Sequence, residues 1–263
     1  MTPRFQIISD LHAEISDVSI SSLINDTADV VILGGDISFM NDSINQAHSA
    51  ARSFPEIEFI LILGNHELYQ AKYDYNHLIT ALPKYNLLSK NLHVLENSSI
   101  WLEQYDLEIY GGIGWSNLRN VSTLDARILE TQINDYSYIT VNDMPLTVPI
   151  MRELNQVFRA SCLACIRESV AKHKIVVSHF PQSLQLRHSG YPNGKLERYF
   201  CSDDDELVAE LGSLGVMAMV SGHTHESYDI AIRGVRQVSN QIGYPFERAN
   251  RFSNVKQLYS LLD

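Results

Sequence analysis

The chain has 263 residues, with 20 Lys plus Arg against 31 Asp plus Glu and a formal charge of −11. With 45% hydrophobic and 19% charged residues it can build a packed core, which excludes an extended disordered chain. The acidic balance argues against a protein that coats extended DNA or RNA, since phosphate binding relies on Lys and Arg, while cations suit it.

The apolar part of the N-terminal segment, Phe5–Ile8, is too short for a signal-peptide core. No run reaches the roughly 18 apolar residues needed to span a bilayer. Three cysteines make no disulfide framework. These features predict a soluble, cytoplasmic protein without a membrane partner.

Five short apolar runs each end in polar residues. Phe5–Ile8 leads into Ser9-Asp10-Leu11-His12, residues 28–33 into Gly34-Gly35-Asp36, and residues 57–63 into Gly64-Asn65-His66-Glu67. Residues 175–177 lead into Ser178-His179, and Val216–Val220 leads into Ser221-Gly222-His223-Thr224-His225. Runs this apolar and rich in Val and Ile predict strands buried on both faces. Helices are predicted around residues 16–25, 43–52 and 69–82, which gives an alternating α/β order. Residues 92–96, 99–104 and 107–112 read as an antiparallel meander. A helix follows over residues 149–172, with Pro149 in its first turn, and Asp203 to Glu206 open another. Tyr228–Ile232 and Val235–Ser239 are read as strands joined at Arg233-Gly234. No repeat or linker appears, so residues 1–263 are read as a single domain, with 115–147 and 181–201 as rim segments of its active site.

The strand-end residues are ligand types. Asp10, His12, Asp36, Asn65, His179, His223 and His225 offer carboxylate, amide and imidazole donors in numbers sufficient for two metal ions. Such a mixed set suits first-row metals such as Mn, Fe or Zn, whereas oxygen alone would point to Mg or Ca. A lone histidine at a strand end is usually a hydrogen-bonded residue, but five strands ending this way argue for one shared centre.

Asp10-Leu11-His12, Gly35-Asp36, Gly64-Asn65-His66-Glu67, Ser178-His179 and Gly222-His223-Thr224-His225 resemble, in order, the five signatures of the calcineurin-like metallophosphoesterase superfamily. Asn134-Asp135-Tyr136, the Trp115 segment and Glu226-Ser227 are similar to a group of small bacterial cytosolic members. The resemblance implies an α/β/β/α sandwich of two mixed sheets flanked by helices, with the metal site at the C-terminal strand ends. It implies one metal on Asp10, His12 and His225, a second on Asn65, His179 and His223, and Asp36 between them. The expected cofactors are two divalent or trivalent ions, Mn2+ or Fe first, with Zn2+, Ni2+ or Co2+ as alternatives. The expected reaction is hydrolysis of a phosphate mono- or diester by a water acidified between the metals. His66, beside a residue already used as ligand, is the expected proton donor or transition-state stabiliser.

Two positions depart from relatives. Where the protein phosphatase branch places an Asp and an Arg after Gly-Asp, this chain has Phe39 and Met40. Where the bacterial group shows Asn-Pro-Arg-Gly-Tyr, it has Asn240-Gln241-Ile242-Gly243-Tyr244. Arg119, Arg127 and Arg187 are candidate substitutes, and His188 and the Tyr69 to Tyr75 stretch are candidate pocket residues. The Cys162 to Cys165 spacing lies within a predicted helix and reads as packing. Alternative readings are a non-catalytic metal-binding or partner-recruiting scaffold, and a nuclease, for which a basic surface is lacking.

Overall fold

The computed structural model describes residues 2–69, 74–190, 196–247 and 254–262. Its first half runs β1 (Phe5–Ile8), α1 (Ile20–Leu23), β2 (Val30–Gly34), α2 (Met40–Ser53), β3 (Glu58–Ile62), α3 (Tyr75–Tyr85), β4 (Leu92–Leu95), β5 (Ser98–Leu102) and β6 (Leu107–Gly112). Next come α4 (Thr123–Gln132), α5 (Asp135–Tyr138), β7 (Thr140–Val141), β8 (Met144–Pro145), α6 (Val148–Glu168) and β9 (His173–Ser178). The chain closes with α7 (Glu197–Phe200), α8 (Asp205–Ser213), β10 (Val216–Val220), β11 (Tyr228–Ile232), β12 (Val235–Ser239) and β13 (Leu258–Tyr259).

Two mixed sheets carry the fold. The first has the order β13-β1-β2-β3-β4, with β1 to β4 parallel and β13 antiparallel at the edge. The second has the order β11-β12-β10-β9-β6-β5, parallel at its centre with an antiparallel hairpin at each edge.

Alternation along the strands assigns the layers. Ile7, Ile32 and Ile60 of the first sheet meet Ile109, Ile175 and Val220 of the second in one buried cluster. Their neighbours Ile8, Leu33 and Leu61 point the other way, against Met40, Ile44 and Ala47 of α2. On the far side, Val176 and Met219 pack on Phe158, Cys162 and Ile166 of α6 and on Leu207 and Leu211 of α8. The architecture is an α/β/β/α sandwich. Burial on both faces explains why these strands read as continuous apolar runs, each buried Ile or Leu contributing about 2 kcal/mol.

The expected meander is corrected. β4 joins the first sheet parallel to β3, because α3 lies between them and makes a crossover, and only β5 and β6 form an antiparallel pair. Asn97, with φ of 49°, turns the chain from one sheet to the other. The first expected helix shrinks to Ile20–Leu23, since the Ser and Asp residues around it favour caps over helix interiors. The third starts at Tyr75, where the Asp74 side chain accepts from Asn76 N; the part of that expectation over residues 70–73 lies outside the described residues. The long helix begins at Val148, capped by Thr147, and ends at Glu168. The segment 115–147, expected as a rim of the active site, contains α4, α5 and the short β7–β8 hairpin.

Candidate metal centre

Each strand-end motif delivers its side chains just past the C-terminal end of a strand: Asp10 after β1, Asp36 after β2, Asn65 after β3, His179 after β9 and His223 after β10. The backbone there is unusual. Asp10 (φ 54°), His12 (49°), Asp36 (52°), His223 (69°) and His225 (54°) are all left-handed. Side chains with a Cβ resist that region by about 1–3 kcal/mol each. Hydrogen bonds hold the loops in it: Asp10 N donates to Gly35 O and His12 N to Asp36 O, both at 3.1 Å. Asp10 Oδ1 accepts from His223 N at 2.9 Å, and Asp36 Oδ1 accepts from His66 N at 2.9 Å. Gly64 admits no side chain, because a Cβ would lie 2.8 Å from His179 Nε2 and collide with the Asp36 carboxylate.

Asp10, His12 and His225 place one donor atom each within 4.8 Å of one another, and so do Asp36, His179 and His223. A third such group, His12, Asp36 and His66, connects the two. Asn65 Oδ1 lies 3.2 Å from His179 Nε2. All seven candidate ligands and His66 therefore share one cluster.

The donors fit cations. His223 Nε2 is buried without a hydrogen-bond partner among the described residues. His12 Nε2 faces His225 Nε2 at 3.0 Å, a pair of ring nitrogens that needs a proton or a cation between them. The second nitrogens are engaged elsewhere. Glu14 Oε1 lies 3.0 Å from His12 Nδ1, His179 Nδ1 donates to Gly34 O at 2.8 Å, and Glu247 Oε2 lies 2.6 Å from His225 Nδ1. Such outer contacts turn Nε2 inward and set the ring orientation.

Protonation shows the same tension. Burial opposes the charge of Asp36, yet His179 beside it holds the carboxyl well below its ordinary range. Burial likewise disfavours charged His179, but the Asp36 carboxylate lifts its pKa to about 10. Burial and the neighbouring His179 charge keep His223 neutral. A proton on His179 thus balances carboxylates that cations would otherwise offset.

Three buried carboxylates brace the cluster. Glu67 accepts from Gly64 N (2.7 Å), Asp36 N (3.0 Å), Ile37 N (2.9 Å) and Ser43 Oγ (2.9 Å), so it fixes the Gly35-Asp36 turn against the Asn65 loop. Asp135 accepts from Asn65 Nδ2 (2.9 Å), Tyr69 Oη (2.6 Å) and Tyr199 Oη (2.5 Å), which aims Asn65 Oδ1 at His179. Glu14 Oε1 also lies 2.9 Å from His66 Nδ1. Burial opposes its charge, but the bonds from His12 and His66 hold its pKa at about 2. His66 is disfavoured as a cation by burial, and Asp36 and Glu14 raise its pKa to about 9. The roles of Glu14 and Glu67 went unread in the sequence, although Glu14 stands two residues past His12 in an alternating Asp-x-His-x-Glu series.

A cavity of about 640 Å³ opens over the cluster, lined by Asp36, Asn65, His66, His223 and His225 at its floor. Its walls include Ile133 and Asn134 from one expected rim segment, and Arg187, His188, Tyr199 and Phe200 from the other.

A family model for calcineurin-like phosphoesterases matches residues 3–227. The chain belongs to this family. It is accordingly a metal-dependent hydrolase of phosphate esters. The uncharacterized protein L509 of Acanthamoeba polyphaga mimivirus is 25% identical over 270 residues, covering 92% of each chain. Among solved structures, phosphopantetheinyl hydrolase (PptH) from Mycobacterium tuberculosis aligns with a TM-score of 0.72 at 16% identity, over 99% of this chain and 94% of that one. A dimetal phosphatase from Danio rerio gives 0.51 at 15% identity, over 92% and 88%. These likenesses establish the shared fold.

In this calcineurin-like phosphoesterase, Arg187 lines the cavity, whereas Arg119 pairs with Glu206 and Arg127 is exposed. Tyr69 stacks on His66, with ring centroids 4.3 Å apart. Cys162 packs in the core, Cys165 contacts Ser99, and both are free thiols. Among the described residues, no helix is long and apolar enough to cross a membrane.

Proposed function

We propose that this phosphoesterase uses two metal ions to hydrolyse a phosphate mono- or diester, with Asp10, His12 and His225 holding one ion and Asn65, His179 and His223 the other. The observation that supports this reading is Asp36, which shares one grouping with His12 and His66 and another with His179 and His223, so that its carboxylate would serve ions on both sides. Bound cations would supply Lewis acidity at the phosphoryl oxygens and a more acidic attacking water.

The rest falls to the chain. Glu14 engages Nδ1 of His66, so Nε2 is the nitrogen available to a ligand in the cavity that His66 lines. As water oxygen bonds to phosphorus and the ester P–O bond breaks, His66 gives its Nε2 proton to the departing oxygen. Asp135 keeps Asn65 turned toward the centre, and residues 115–147, 181–190 and 196–201 frame substrate entry, residues 191–195 of that expected rim lying outside the described residues. Mn2+ or Fe suits the mixed imidazole and carboxylate set, with Zn2+, Ni2+ or Co2+ as alternatives. The buried free thiols Cys162 and Cys201 suit a cytoplasmic location.

The test is release of phosphate or nitrophenol from generic esters by metal-reconstituted protein. A folded sample that binds Mn2+ or Fe2+ yet cleaves no ester would remove the catalytic reading and leave a metal-binding scaffold.

A further inference from the structure

Residues 240–247 follow β12 and lie beyond residues 3–227, which the family model matches. This short stretch reaches all three ligands proposed for the first ion. Ser9 and Gln241 form a parallel bridge, Ile242 N donates to Ser9 O at 3.0 Å, and Gly243 N donates to Asp10 O at 2.9 Å. The chain leaving the second sheet thus pins the backbone of Asp10 at the end of β1. Tyr244 lays its ring 4.5 Å from that of His12 and 4.7 Å from that of His225, by centroid. Glu247 Oε2 accepts from Tyr244 N at 2.8 Å and lies 2.6 Å from His225 Nδ1.

Gln241 anchors the stretch to the His225 loop. Its buried side chain accepts from His225 N through Oε1, and its Nε2 donates to Glu226 O and to Ser239 Oγ, both at 2.7 Å, with Thr224 Oγ1 3.1 Å away. Its backbone N donates to Ser227 Oγ at 2.9 Å. One residue therefore grips the chain on both sides of His225 and holds that ligand at a φ of 54°, a conformation that side chains with a Cβ resist. Where the likeness to the small bacterial members implies Pro, this chain has Gln241. Proline has neither an N–H nor an amide with which to make these bonds. The ligands proposed for the second ion are braced from elsewhere. Asp135 holds the Asn65 amide at 2.9 Å, His179 Nδ1 donates to Gly34 O at 2.8 Å, and the His223 ring lies 3.9 Å from that of Phe180.

We infer that Gln241 and Glu247 are positioning residues for the Asp10, His12 and His225 site, and that residues 240–247 assemble this site separately from the other. The inference rests on the two-ion reading and adds which part of the chain builds one half of the centre. Without the grip of Gln241, the His225 loop relaxes out of its left-handed turn and carries Nε2 away from its place 3.0 Å from His12 Nε2. The supports of Asn65, His179 and His223 stay as they are.

The experiment follows Mn2+ binding to the full chain by calorimetry, metal analysis and electron paramagnetic resonance, in the wild type, Gln241→Met and Glu247→Gln. Met keeps the length of the side chain and deletes both of its polar atoms. Gln at 247 keeps an acceptor for Tyr244 N and removes the charge that faces His225. Each variant should bind one Mn2+ as the wild type does and the other about 10- to 100-fold more weakly. At limiting Mn2+ the coupled signal of an ion pair should give way to that of an isolated ion. Adding Asp135→Ala, directed at the opposite site, should then weaken both ions. Equal weakening of the two ions by Gln241→Met alone, or full retention of both in the two single variants, overturns the inference while the two-ion reading stands. If Gln241→Met does not fold, the half-exposed Glu247→Gln decides by the same criterion. A wild-type chain that takes up only one ion removes the two-ion reading, and this inference with it.

Discussion

Glu14 Oε1 lies 2.9 Å from His66 Nδ1, and the same oxygen lies 3.0 Å from Nδ1 of His12. One carboxylate thus orients both a candidate metal ligand and the candidate proton donor. The resemblance to the protein phosphatase branch implies an Asp that would orient His66 at the position where this chain carries Phe39. The partner that position lacks arrives instead from the loop after β1, 52 residues before His66 in sequence.

Glu14→Gln should therefore depend on the leaving group. Loss of the charged partner should lower kcat for an alkyl phosphate ester by about 10- to 100-fold. Nitrophenolate departs without needing a proton, so its release should change by no more than about threefold. Equal loss on both esters would assign Glu14 to holding His12 alone.

Glu67 makes a separate prediction about folding. Glu67→Ala would strip the acceptor from three buried backbone N–H groups, those of Gly64, Asp36 and Ile37. Buried donors without partners cost about 1–3 kcal/mol each, so destabilisation of at least about 3 kcal/mol is expected. Thermal melting should show it as a drop of roughly 6–12 °C, with metal content falling in parallel because the Asp36 turn loses its anchor.

Much of this architecture is legible in the sequence for one physical reason. Strands buried on both faces must be apolar throughout, so β1 and β10 stand out with the bounds observed, and polar residues at their ends mark the site. The edge strand β11, exposed over Asp229 to Ala231, is legible instead through its hairpin with β12 at Arg233-Gly234. β4 departs from the expected meander because its own four residues do not encode which strand they pair with; the preceding helix decides that. Glu67 and Asp135 act through partners up to 31 and 70 residues away. Local spacing carries no trace of such contacts, and a Glu beside a His reads as an ordinary polar residue until the fold closes.

Asp135→Ala tests whether the buried carboxylate governs metal binding from outside the ligand set. Its loss frees the Asn65 amide to rotate and leaves the Tyr69 and Tyr199 hydroxyls without their acceptor. Metal titration should show one of two ions weakened by about 10- to 100-fold, the other nearly unchanged. Parallel weakening of both would mean a general collapse of the pocket.

Glu96 supplies a pH prediction far from the centre. Its Oε1 accepts from Tyr75 Oη at 2.8 Å and its Oε2 from Ile113 N at 2.7 Å, at the point where the chain passes between sheets. Burial raises its pKa from 4.5 to about 7, against those two bonds. A carboxyl with a raised folded pKa favours folding below its unfolded pKa, and that stability is lost as pH climbs through the folded value. Between about pH 4.5 and 7.5 the loss from this group amounts to about 3 kcal/mol. Glu96→Gln cannot ionise, so denaturant melts should show it gaining on the wild type by up to about that amount as pH rises from 5 to 8. A stability difference that stays constant over this range would show that Glu96 titrates near its ordinary value despite its burial.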